Sequence, residues 1–135
     1  MTVKLCTDSI RTMAVFENVT KVSARDCLMK EGEIYFVVDH DKIGLAIGRN
    51  GSKMKSLRRI FGDKHIKIFA CEETLEGSIK SMIPTAKRIE IEGDSVVVSV
   101  PKQDKVSVIG KGGRNINAIR EILKRRFAVK RLKLI

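Results

Sequence analysis

The sequence predicts an α+β protein built from one unit used twice, each running helix–strand–strand–helix–helix–strand. Three observations carry this. Two Glu-Gly turns, at Gly32 and Gly93, stand 61 residues apart, and two glycine pairs, Gly48/Gly51 and Gly110/Gly113, stand 62 residues apart. Agreement at two landmarks within one residue is the mark of a duplicated unit. The hydrophobic periodicity also changes from helical to alternating in the same order in both halves. The division falls near Cys71–Glu73 with no Gly/Ser/Pro-rich spacer, which places the first domain at residues 1–72 and the second at 73–135.

In the first unit Thr7 can cap a helix to about Asn18, with Ile10, Met13, Ala14 and Phe16 along one face. A strand over 24–30 and a Glu31-Gly32 turn lead to Ile34-Tyr35-Phe36-Val37-Val38. That β-branched and aromatic run suits a central strand buried on both faces. Asp41 can cap a short helix to Ile47, which delivers the first glycine pair. From Ser52 a second helix turns Met54, Leu57, Ile60 and Phe61 inward and leaves Lys53, Lys55, Arg58 and Arg59 to solvent. Gly62-Asp63 ends it, and Ile66–Phe69 reads as the third strand.

The second unit repeats the series. Thr74 can cap a helix carrying Leu75, Ile79, Met82 and Ile83, which Pro84 stops. The alternating strand Arg88–Ile91, a Glu92-Gly93-Asp94 turn and the strand Val96–Val100 follow. Asp104 can cap a short helix to Ile109. A longer helix from Asn115 to about Arg126 buries Ile116, Ile119, Ile122 and Leu123. Val129–Ile135 closes the chain as a strand whose polar positions are all basic.

The glycine pairs carry the chemistry. Each copy reads Ile, Gly, a basic residue, any residue, Gly: Ile47-Gly48-Arg49-Asn50-Gly51 and Ile109-Gly110-Lys111-Gly112-Gly113. Glycines three apart let the backbone turn tightly and leave its N–H groups unobstructed. The helix start that follows offers its positive end to the same space, and that combination suits a phosphate. Charge is distributed to match. The chain carries a net +11; residues 42–67 hold eight basic side chains against one acid, residues 102–133 eleven against two, and the remainder nets five negative charges. Basic windows that begin just before each glycine pair and run through the following helix and strand describe a polyanion-binding face.

Other chemistries find little support. Cys6, Cys27 and Cys71 are far apart, with no CxxC and no Cys/His pair at ligand spacing, so the sequence predicts no metal site and no cofactor. The spacing GxxxxGK[ST] of a P-loop is absent, and Gly110-Lys111-Gly112 lacks the third glycine of a dinucleotide fingerprint because position 115 is Asn. No Ser/His/Asp, Cys/His or paired-carboxylate constellation recurs, so the protein is expected not to be an enzyme and to have no small-molecule substrate. No apolar run approaches the roughly 20 residues that span a bilayer. The stretch from Met1 to Asp8 lacks the apolar core of a secretory signal, so a soluble, cytoplasmic protein with no membrane partner is expected.

The two loops, with the residues Ala46 and Val108 that precede them, resemble the signature of KH domains, whose GxxG loop joins two helices. The element order is similar to the prokaryotic, type II version: α-β-β-α-α-β, a three-stranded sheet with helices packed on one face. Two such units in tandem resemble the short archaeal members of the NusA transcription factor family, over essentially the whole chain. The resemblance implies a single-stranded RNA-binding protein acting in transcription termination or antitermination, each unit gripping about four nucleotides. Phosphates would lie along Gly48–Gly51 and Gly110–Gly113. Bases would rest between the helices near Ile43, Ile47 and Met54, or Val106, Ile109 and Ile116, and the strand after them, residues 64–69 or 129–133. Lys53, Lys55, Arg114, Arg120, Arg125 and Lys130 are candidate auxiliary phosphate contacts. With one Tyr and no Trp, stacking cannot be the main source of affinity. Bacterial members add a polymerase-binding domain and an S1 domain that this sequence does not contain. Single-stranded RNA is therefore the first partner implied, with RNA polymerase or other transcription components as candidates for a second. The competing expectation is a protein-docking scaffold in which one or both units no longer bind RNA.

Overall fold

The computed structural model describes residues 7–30, 32–62 and 64–135. Cys6, Glu31, Asp63 and the side chain of Thr7 lie outside that set. The chain divides into two compact units, Met1–Cys71 and Glu72–Ile135.

The first unit runs α1 (Thr7–Thr20), β1 (Asp26–Lys30), β2 (Glu33–Asp39), α2 (Ile43–Ile47), α3 (Ser52–Phe61) and β3 (His65–Cys71). The second runs α4 (Leu75–Met82), β4 (Arg88–Glu92), β5 (Ser95–Ser99), α5 (Lys105–Ile109), α6 (Arg114–Phe127) and β6 (Arg131–Leu134). Each holds one three-stranded sheet, ordered β1-β2-β3 and β4-β5-β6. In each the first pair is antiparallel and the second parallel. This is the α+β architecture the sequence predicts. The parallel pairing has a consequence for the glycine loops. Parallel neighbours cannot be joined by a tight turn, so the chain must cross a sheet face, and the hairpins α2–α3 and α5–α6 are those crossovers.

The core of the first unit joins one sheet face to its helices. Cys27, Ile34, Phe36, Val38, Ile66 and Ile68 pack with Phe16, Ala46 and Leu57, and Met13, Met54 and Phe61 close the margin. Phe16 and Phe36 stack with ring centroids 4.2 Å apart. Tyr35 and Val37, on the opposite face of β2, are buried as well, so β2 is covered on both sides as its composition requires. In the second unit Val96, Val98, Ile116, Ile119, Ile122, Leu123 and Leu132 are buried.

Several sequence expectations shift. Ile10 is exposed, and α1 instead buries Ser9, Thr12, Phe16 and Thr20. Those positions follow one another at intervals of three and four residues along one helix face, whereas Ile10 and Ala14 fall on the outer side. Thr20 makes burial tolerable by donating its hydroxyl to the Phe16 carbonyl at 2.8 Å. Ile60 is also exposed, because the inward face of α3 runs through Met54, Leu57 and Phe61. Asp41 does not cap α2; it lies inside a 3-10 turn over His40–Lys42, and neither that turn nor α2 has a side-chain cap. Asp104 stands just before α5 but makes no capping bond. Thr74 does cap α4, its Oγ1 accepting from the Gly77 N–H at 3.1 Å. Ile91 alternates as expected yet is exposed, because β4 is an edge strand. Cys27 and Cys71 are buried thiols.

Candidate nucleic-acid interface

Both glycine loops fold the same way. After α2, Gly48 takes φ 82°, ψ 167°; after α5, Gly110 takes φ 76°, ψ 171°. The backbone then closes a 3-10 turn in which the Gly51 N–H donates to the Gly48 carbonyl, and the Gly113 N–H to the Gly110 carbonyl, both at 3.1 Å. Asn50 (φ 55°, ψ 28°) and Gly112 (φ 61°, ψ 20°) occupy the left-handed region. An asparagine visits that region at modest cost, so the two loops match although one reads Arg-Asn and the other Lys-Gly. The matching dihedrals also show that Gly112 does not set its loop apart in conformation.

The conformation of the first glycine admits almost no other residue. A Cβ at Gly48 would come within 2.8 Å of Lys53 Cγ and 2.9 Å of the Lys53 nitrogen; at Gly110 it would come within 2.7 Å of Asn115 Cβ. The first turn of the following helix is thus packed directly beneath the loop.

The residues beneath the loops differ in their ties. In the second unit Asn115 is buried and its Nδ2 donates to the Val108 carbonyl at 2.8 Å, clamping α6 to α5. Sequence reasoning missed this role, taking Asn115 only as the first residue of the longer helix, because the carbonyl it reaches lies seven residues back. Replacing Asn115 by Leu would leave the Val108 carbonyl without that donor. The expected cost is about 1–3 kcal/mol of stability, measured by urea unfolding. In the first unit Lys53 holds the matching place, and its Nζ donates to the Thr20 carbonyl at 2.7 Å, at the end of α1. A lysine read from sequence as a phosphate contact is therefore engaged in joining α3 to α1.

The remaining candidate residues separate into two groups. Arg49, Asn50, Lys55, Lys111 and Gly112 are exposed at or beside the loops, and Ile47 and Ile109 are partly open next to them. Gly48, Gly51, Gly110, Gly113 and Arg114 are half-buried. Away from the loops the cations have protein partners. Arg125 pairs with Glu121 one helical turn back at 3.3 Å, and Lys130 stands 3.7 Å from Asp94. Arg120 reaches across to β6, donating to the Leu132 carbonyl through Nε at 3.2 Å and Nη2 at 3.1 Å.

Between the second loop and β6 lies a groove of about 440 Å³, lined by Ile109, Gly113, Ile116, Asn117, Arg120 and residues 132–134. It joins the glycine loop to an apolar floor and an open strand edge. Ile109, Ile116 and Leu132 were legible as its walls; Asn117 and Leu134 were not. Val106 does not line it and stands 79% exposed. On the sheet of the first unit, Lys67 holds its ammonium 4.8 Å from the Phe69 ring, and burial pulls its pKa below the ordinary lysine value. Among the described residues no group of three or more His, Cys, Asp or Glu could hold a metal, and no helix is long and apolar enough to cross a membrane.

Against known proteins, the KH domain family model matches residues 70–134. A protein of Halobacterium salinarum named probable transcription termination protein NusA is 30% identical over 99% of this chain and 99% of its own length. This chain belongs to the archaeal NusA family. A namesake in Methanococcus vannielii is 31% identical over all of this chain and 81% of that protein, and one in Methanocaldococcus jannaschii is 27% identical over 98% and 75%. The crystal structure of APE1850 superposes with a TM-score of 0.79 at 30% identity, covering 97% of this chain and all of that one. The relatives extend over both units, and so over both glycine loops.

Proposed function

We propose that this protein is a non-catalytic, single-stranded RNA-binding factor made of two type II KH units in tandem. Each unit holds a phosphodiester backbone at its glycine loop and seats bases in the groove between loop and last strand. The observation that carries this reading is the pair of loops with near-identical dihedrals, each with an exposed cation at its second position. Two separately encoded copies of one notch, each near the start of a basic stretch, fit a repeating polyanion better than any compact ligand. The element order α-β-β-α-α-β in both units supports the type II assignment. The names of the relatives support a role in transcription termination; a part in antitermination, with RNA polymerase or other transcription components as further partners, extends that reading.

Filter binding of single-stranded RNA across a salt series tests this. If the two loops and their flanking cations neutralise about six phosphates, the slope of log affinity against log salt should be roughly −4. Weak binding at every salt concentration would reject the RNA reading in favour of a protein-docking scaffold.

A further inference from the structure

Strand β4 presents an open edge. Its counterpart in the first unit, β1, is sealed: Asp26, Cys27 and Leu28 are all buried. In β4 the Arg88 and Glu90 side chains are 76% and 55% exposed, and Ile91 is 44% exposed. The hairpin fixes which backbone groups are open. Gly93-Asp94 is a two-residue loop, so Glu92 and Ser95 form its closing hydrogen-bonded pair. Bonded pairs then alternate back along the ladder, through Glu90–Val97 to Arg88–Ser99. Ile89 and Ile91 therefore turn their N–H and C=O groups to the free edge. Before Arg88 the edge closes, because the Lys87 N–H donates to the Ser99 carbonyl at 2.7 Å. The side chains divide by face. Ile89 and Ile91 stand opposite the buried Val98 and Val96 and so lie on the core side; Arg88, Glu90 and Glu92 lie on the outer side. Natural proteins blunt such edges with a Lys or a Pro, and residues 88–92 contain neither.

We propose that β4 is a self-association edge, pairing antiparallel with β4 of a second copy of this chain about a two-fold axis at Glu90. The backbone selects that register. It sets Ile89 of each copy against Ile91 of the other, so every open N–H and C=O of these residues finds a partner. An axis at Ile89 would set Ile91 against Lys87, whose N–H is spent, and an axis at Ile91 would set Ile89 against Gly93, inside the turn. The side chains select the same register. Arg88 meets Glu92 of the other copy at both ends of the outer face, and the isoleucines of both copies form one apolar strip on the core side. The order Arg-Ile-Glu-Ile-Glu is thus complementary to its own reverse. Glu90 meets its like across the axis, but its own Arg88, 2.8 Å away, offsets that charge. The far edge of the sheet, β6, is a poorer partner, because Arg120 already covers the Leu132 carbonyl there. An isologous contact of this kind closes as a dimer instead of growing into a fibre. Since β4 and β6 are opposite edges, the pairing leaves the second glycine loop open, and it stands independently of the RNA reading.

Sedimentation equilibrium of the full chain, without RNA, tests this. A strand of five residues buries less than a standard interface, so the dissociation constant should lie on the order of 0.1 mM. Amide exchange reads the edge itself: the N–H groups of Ile89 and Ile91 should exchange more slowly as the protein concentration rises. Arg88→Glu and Glu92→Arg each turn both attractive end pairs repulsive and should weaken association about tenfold. Combined in one chain, the two changes restore the pairs with their signs reversed, and association should return to within about threefold of its starting value. Glu90→Gln removes the like charges at the axis and should strengthen association about threefold. No association up to about 1 mM overturns the proposal. So does a double variant that associates no more tightly than the single ones. A chain that stays single while a Lys-Ile-Lys-Ile-Lys peptide slows exchange at Ile89 and Ile91 overturns it too, and assigns the edge to a basic strand of another protein.

Discussion

Replacing Arg49 and Asn50 by Asp in the first loop, and Lys111 and Gly112 by Asp in the second, should lower RNA affinity at least about 100-fold. Four carboxylates would then stand where the proposed reading puts the phosphates. At ~4 Å in water one charge–charge interaction is worth about 1 kcal/mol, so the two cation-to-carboxylate changes lose about 2 kcal/mol each and the two neutral-to-carboxylate changes about 1 kcal/mol each; screening by salt leaves roughly 3 kcal/mol across the set. The fold should survive. All four positions are exposed, a Cβ at Gly112 meets open space, and Asn50 and Gly112 hold left-handed dihedrals that aspartate tolerates better than most residues. Filter binding gives the affinity and thermal unfolding the integrity. Undiminished affinity in a folded four-site variant would remove the loops from the interface.

The second large effect separates the two glycines of a loop. Gly48→Ala and Gly110→Ala should each cost about 2–4 kcal/mol, combining a backbone conformation that L-residues avoid with a Cβ under 3 Å from the next helix. Gly51→Ala, at left-handed dihedrals with nothing within 4 Å of the added carbon, should cost only about 1 kcal/mol. Urea unfolding of the three variants reads the difference. Equal losses at Gly48 and Gly51 would show that the close packing of loop on helix does not govern this hairpin. The two glycines look alike in sequence, and only the atoms beneath them make one nearly irreplaceable.

Much of the fold was legible because its signals are local. The order of elements in both units, the central strand at Ile34–Val38 and the inward face of α6 follow from composition and spacing within a few turns. Thr74 declared its helix start by one side-chain oxygen three residues from the amide it accepts from. The misjudged residues have a common cause. Ile10 and Ile60 are apolar and near the right helical phase, but a helix only about one residue out of register with its neighbour exposes them, and that register is set by residues far away in the chain. Asp41 and Asp104 carry capping chemistry in places where a 3-10 turn supplied the backbone instead.

The loops and their charge were written in the sequence by itself. Glycine spacing dictates a tight notch, the residues between the glycines set its sign, and the repeat says there are two. Which cations are available was decided by tertiary structure alone. Lys53 finds a carbonyl 33 residues away and Arg120 one 12 residues away. Long, flexible cationic side chains take whatever acceptor the folded backbone brings within reach, and no local pattern encodes where a distant carbonyl will lie.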